Sequence, residues 1–284
     1  MALLRKWKTR WRSLWSKPIA LIDEARWLEL TRHYRFMHGL SAEEQRRLRL
    51  IASDFLARKQ FIGAAGLEID ETVRIQVAAQ ACILILELGA DWYDGWSDIV
   101  IYPGRFMPER EVVDAAGVVH VTQDILSGEA WLGGPVILSY EDVALAGDPE
   151  LAVDGYNVVI HEFAHKLDMR NGPATGFPPL HRGMKSSAWR EAFMAAYLDF
   201  CRIVDAADRR DRRRGRHAGS ALDALPIDAY ASENPAEFFA VISEAFFEIP
   251  ENVEASYPQV YAQLRQFYRQ DPLTRLARSD AGIG

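Results

Sequence analysis

His161, Glu162 and His165 form the pattern H-E-x-x-H inside the segment 157–168, NVVIHEFAHKLD. On a helix, residues four apart share a face, so the two imidazoles can reach one metal ion at about 2.0–2.1 Å while Glu162 flanks a water. That spacing predicts hydrolysis of peptide bonds by a metal-activated water, with Glu162 as the general base. Val158, Val159, Ile160, Phe163, Ala164 and Leu167 make the same helix apolar nearly all round, which implies burial. Two histidines and a glutamate are costly in such a setting unless a ligand satisfies them. One Zn²⁺ per chain is the expected ligand, although a His₂Glu set also accepts neighbouring transition metals.

A catalytic zinc needs a third protein ligand and one open position. The extended metzincin pattern requires Gly and His where this chain has Asp168 and Asn171, so that class is excluded. Asp168 lies seven residues after His161 on the same face, which suits it to orient an imidazole. Downstream, YASENPAEFFAVISE (230–244) opens a second apolar helix with Glu237 in its first turn and Glu244 two turns later on the same face. Glu237 is the leading third-ligand candidate; an acid in a first turn also favours the helix dipole, so spacing alone leaves both roles open. His181 and His217 rank below it, because both sit among Gly and Pro in loop-like sequence.

The elements that must hold these residues are mixed, with helix dominant. Ser41 and Glu44 form a capping-box pattern ahead of a helix, and a further helix is expected over 71–88. Short β-like runs follow at 99–102, 118–122 and 135–140, the last a candidate edge on which an extended peptide could align. Helices are then expected over 157–170, 187–205, 235–247 and 258–269, with Pro235 and Pro258 as first-turn prolines. The Arg-rich stretch 209–217 (RRDRRRGRH) reads as a solvated loop. The expected class is α+β: a mainly helical, zincin-type domain over 41–278, with a small mixed sheet beside the H-E-x-x-H helix.

Composition narrows the functions. With 284 residues, 49% hydrophobic and 26% charged, the chain is long enough to bury a sizeable core, and its longest apolar run is too short to cross a bilayer. The net charge of −7 hides an asymmetry: residues 1–20 carry six bases and no acid, leaving −13 over the remainder. An acidic body argues against direct nucleic-acid binding by the main domain. Trp7, Trp11 and Trp15 recur every four residues among Arg and Lys, so segment 1–17 reads either as a helix packed on the domain or as a weak membrane-surface contact. Cys82 and Cys201, both in apolar surroundings, suggest free thiols in the cytoplasm.

HEFAHKLD followed by NG, IDAYASENPAEFFAVISEAFF, QFYRQDPL, ELGADWYDGWSDIVIYP and GPVILSY together resemble the Mlc titration factor A family of bacterial zinc metallopeptidases. The resemblance runs from about residue 40 to 278. It implies zinc ligands at His161, His165 and Glu237, a catalytic Glu162, and Tyr230 near the metal with a hydroxyl able to stabilise an oxyanion. It also implies a gluzincin-type core similar to that of anthrax lethal factor, a cytosolic location, and peptidase activity on small peptide-like substrates, aminopeptidase ahead of endopeptidase. Binding of the repressor Mlc, in control of sugar uptake, is the implied partner function; the alternative is a regulatory protein that sequesters a transcription factor and makes little catalytic use of its zinc. Glu244 and Asp168 are the expected supports of the ligands. The Arg-rich stretch and the tryptophan-rich tail depart from the family pattern.

Overall fold

The computed structural model describes residues 19–106, 109–113, 119–123, 127–146, 155–214 and 221–281. The tryptophan-rich segment 1–17 and His217 therefore lie outside the described residues. In chain order the elements are α1 (Glu24–Thr31), α2 (Ala42–Arg58), β1 (Gln60–Gly63), α3 (Glu71–Ile83), β2 (Asp98–Tyr102), β3 (Glu109–Val113), β4 (Val119–Gln123), β5 (Gly128–Ala130) and β6 (Val136–Ser139). Helices follow: α4 (Tyr140–Leu145), α5 (Val158–Asp168), α6 (Ser186–Arg214), α7 (Pro235–Glu248), α8 (Pro250–Ser256), α9 (Pro258–Tyr268) and α10 (Pro272–Ala281). The fold is mainly helical α+β, as the sequence implies.

Four strands form one mixed sheet in the order β1-β2-β6-β5, with β1, β2 and β6 parallel and β5 antiparallel to β6; β3 and β4 pair separately as a hairpin. Strands β2 and β6 send Ile99, Ile101, Val136 and Leu138 into the core, where period-two alternation places them. The expected peptide-aligning edge is corrected here. Within that segment Val136–Ser139 forms β6, which is paired on both sides, and the edge strands of this sheet among the described residues are β1 and β5.

Helix α5 packs against β5, β6, α3 and α7, so its burial on all sides follows from its apolar sequence. The capping box at Ser41 is formed as its sequence predicts. Two expected boundaries change. Helix α3 ends at Ile83, after which Ile85 and Leu86 donate backbone N–H groups to Cys82 and Ile83 in a tighter turn that keeps them buried. The predicted Arg-rich loop is helical through Arg214: Asp205 pairs with Arg209 and Asp208 with Arg212, one turn apart on α6. Within the described residues no helix is long and apolar enough to cross a membrane.

Candidate metal centre

Helices α5 and α7 bring the proposed ligands together from positions more than seventy residues apart. Asn157 caps α5 by accepting the Ile160 N–H, and Asn234 caps α7 by accepting from the N–H groups of Ala236 and Glu237, with Pro235 in the first turn. His161 Nε2 lies 3.0 Å from Glu237 Oε2, His165 Nε2 lies 3.2 Å from the same oxygen, and the two Nε2 atoms are 3.2 Å apart. Four-coordinate zinc with bonds of about 2.0–2.1 Å separates its ligands by about 3.3 Å. The three atoms thus already form nearly one face of such a tetrahedron, and this donor set fits zinc.

Burial alone would raise the Glu237 carboxyl, but hydrogen bonds and charge from His161 and His165 hold it well below the usual carboxylate range. Burial pushes the Glu162 carboxyl up to about 7, against the pull of the two imidazoles. Its Oε2 is buried and has no hydrogen-bond partner among the described residues, so the carboxylate beside the ligands is uncommitted. A general base with a value near neutrality is well matched to its task.

Glu244 supports the site from below. Its Oε1 meets His161 Nδ1 at 2.7 Å and its Oε2 accepts the Asn157 N–H at 2.6 Å, which turns Nε2 of that imidazole toward Glu237 and His165. Asp168 corrects the expectation of an imidazole-orienting residue. Its carboxylate accepts the backbone N–H groups of Thr175, Gly176 and Phe177, while His165 Nδ1 has no partner among the described residues. The chain turns back after Asn171 and offers the carboxylate three backbone donors, so Asp168 holds the loop that carries Thr175 in the cleft wall. Gly176, at φ +77°, packs where a Cβ would come 2.4 Å from Pro235 O. His181 meets the Phe267 carbonyl at 2.7 Å and takes no part in the centre.

The centre opens into a cleft of about 680 Å³ whose walls include Gly128, Ala130, Thr175 and Tyr230. Tyr230 is 48% exposed, with its ring centroid 6.1 Å from that of His161. Three features escape a reading from spacing. Gly128 on β5 lies against Glu162, and a Cβ there would come 2.5 Å from Oε1. Lys166, next to His165, donates to the carbonyls of Trp131 and Gly134 at 2.6 and 2.7 Å and so fastens the β5–β6 turn to α5. Arg105 and Tyr156 line an adjoining cavity beside Glu162. For Gly128 alone a signal existed, since a glycine beginning a strand marks close backbone approach.

Comparison with known proteins accords with this geometry. The profile of the glucose-regulated metallo-peptidase M90 family matches residues 4–269. The chain belongs to that family. Over 240 residues, 84% of this chain and 82% of theirs, it is 39% identical to Mlc titration factor A of Yersinia pestis (strain Pestoides F) and of Yersinia pseudotuberculosis (serotype O:1b, strain IP 31758). Membership of this metallo-peptidase family covers the helices α5 and α7 that carry the three candidate ligands.

Proposed function

We propose that the chain is a zinc-dependent peptidase in which Glu162 is the general base and His161, His165 and Glu237 hold the metal. The observation that carries this reading is the triangle of ligand atoms, 3.0–3.2 Å on each edge, beside an uncommitted buried carboxylate. A bound zinc supplies Lewis acidity toward a carbonyl oxygen and toward water. Glu162 takes a proton from the attacking water and returns it to the leaving amine, as a carboxylate with a value of about 7 can do in both directions. The Tyr230 hydroxyl, at the cleft wall, meets the negative charge that develops on the carbonyl oxygen. The side of β5 left without a partner strand among the described residues offers backbone groups on which an extended peptide aligns. Small peptides, trimmed from the amino end, are the proposed substrates, and the free thiols Cys82 and Cys201 favour a cytoplasmic setting.

A second function rests on the relatives' name, Mlc titration factor A: capture of a Mlc-like transcriptional repressor in control of sugar uptake. It is compatible with the first. Zinc content and turnover of aminopeptidase and endopeptidase reporters, measured on the same samples, test the catalytic reading. Wild type and Glu162→Gln are expected to hold about one zinc per chain, with chelator-sensitive turnover in wild type alone; Glu237→Ala is expected to hold less. Full turnover by Glu162→Gln would remove that residue from the mechanism. A pull-down of the repressor by Glu162→Gln separates the two functions, since partner capture without hydrolysis is expected to survive the substitution.

A further inference from the structure

Beyond Glu162 the metal cleft continues into a second cavity of about 330 Å³, which shares Gly128, His161, Glu162 and Tyr230 with the first. A substrate held at the candidate ligands and extended past Glu162 enters this cavity. Its wall carries Arg105, and that arginine is held by a carboxylate beneath it: Arg105 donates to Asp142 Oδ1 at 3.1 Å, and the Tyr156 hydroxyl donates to the same oxygen at 3.1 Å. Asp142 itself is only 1% exposed. Ser127 completes the group through its side-chain hydrogen bond with Tyr156. One buried acid therefore fixes two donor side chains on the same wall.

Satisfying Asp142 does not consume the guanidinium. One nitrogen of Arg105 is engaged, the side chain is 57% exposed, and arginine has five N–H donors in a planar fork suited to a carboxylate. The acids that share the cavity are differently placed. Glu244 is committed to His161 and Asn157, Glu162 is the base, and Asp228 lies exposed with Oδ1 accepting the Tyr230 N–H. Arg105 is the one arginine or lysine among the described residues of the lining.

Direction follows from the sheet. Residues 127 and 128 line this cavity, and β5 runs from it along the metal cleft, so a peptide added antiparallel to β5 carries its carboxyl-terminal side toward Arg105. We propose that Arg105, positioned by Asp142 and flanked by Tyr156 and Ser127, forms a subsite selective for a carboxylate on the leaving-amine side of the scissile bond. The proposal rests on the peptidase reading. Two sources present that chemistry: the free carboxyl terminus of a dipeptide, and an acidic side chain just after the scissile bond.

Binding without turnover tests it. Zinc-loaded Glu162→Gln full-length protein is titrated calorimetrically with Ala-Ala and its C-terminal amide, and with Ala-Asp-amide against Ala-Asn-amide. Charge-assisted hydrogen bonds predict about tenfold tighter binding of the carboxylate member of at least one pair. Preference within the first pair assigns the free terminus, and within the second the acidic side chain. Adding Arg105→Gln is expected to bring both ratios within about twofold, and Arg105→Lys to keep part of the preference as a point charge without the fork. Because Arg105→Gln strands a buried acid, Arg105→Gln with Asp142→Asn is the companion variant, expected to lose the preference with unchanged zinc content. Equal binding of acid and neutral members, no binding of any peptide, or a preference that survives loss of Arg105 overturns the proposal. Wild-type reporter cleavage keeps the two readings apart: carboxylate-selective binding without cleavage by wild type would sink the peptidase alone, and cleavage without selectivity would sink the subsite alone.

Discussion

At Gly128 the backbone of β5 lies against Glu162, the proposed general base, with no side chain between them. An added methyl would sit 2.5 Å from Glu162 Oε1 and 2.8 Å from its Cδ, so in Gly128→Ala either the carboxylate or the strand must move, and the side chain is the softer of the two. Misplacement of a catalytic group by about 1 Å can cost on the order of 10²-fold, and a fall in kcat of at least about tenfold with full zinc content is expected. Steady-state kinetics alongside metal analysis reads both; an unchanged kcat would mean that the strand yields instead. Tyr230→Phe should lower kcat by about 10²–10³ and leave zinc content alone, the usual loss on removing one oxyanion donor. The proposed ligands His161 and His165 were legible because four-residue spacing encodes a helical face, whereas spacing left Glu237 between ligand and helix-dipole acid until the family resemblance singled it out. Asp168 misled for a spatial reason: the loop that donates to it returns only after the helix has ended.

Where α5 begins, it is joined to the end of α7 by a buried polar chain. Asn157 donates its N–H to Glu244 and its Nδ2 to Glu248 Oε1 at 2.8 Å, and Arg35 donates to the Glu248 carbonyl at 2.6 Å. Burial pushes the Glu248 carboxyl from 4.5 up to about 7, with Asn157 opposing and Glu244 assisting the rise. A carboxyl raised on folding binds its proton more tightly in the folded state, so its contribution is complete below about 4.5 and is lost as pH rises through about 7. That difference amounts to about 3 kcal/mol. Glu248→Gln should therefore flatten the stability profile across this window and exceed wild type at pH 8, as urea unfolding at pH 5 and pH 8 would show; parallel profiles would place the titration elsewhere. Most helices were legible from apolar period and caps, whereas the end of α6 was not, because its Asp–Arg pairs support a solvated helix where composition suggests a loop. Strand β5, only three residues (Gly-Glu-Ala), has no alternation to read, and its edge position depends on pairing with β6.

For the molecule as a whole, the class and the helix-dominated body follow from the sequence, but the sheet order does not, since crossovers carry no local signal. The proposed ligand set spans that architecture. His161 and His165 belong to a helix packed on the sheet and on α3, while Glu237 heads a helix packed on α8 and α9. A metal bound by all three ties the sheet side to the helical side, and anything that binds the folded state alone stabilises it by mass action. At a free zinc concentration a thousandfold above Kd that is about 4 kcal/mol, on the order of 7 °C in Tm for a chain of this size. Chelation should lower Tm by about that amount in wild type and in Glu162→Gln, because the base is not a ligand. Glu237→Ala should start lower and respond little, since one side of the tie is gone. Calorimetric melting of the three proteins with and without chelator decides the point: a wild-type Tm indifferent to removal of its zinc would mean that the ion does not bridge α5 and α7.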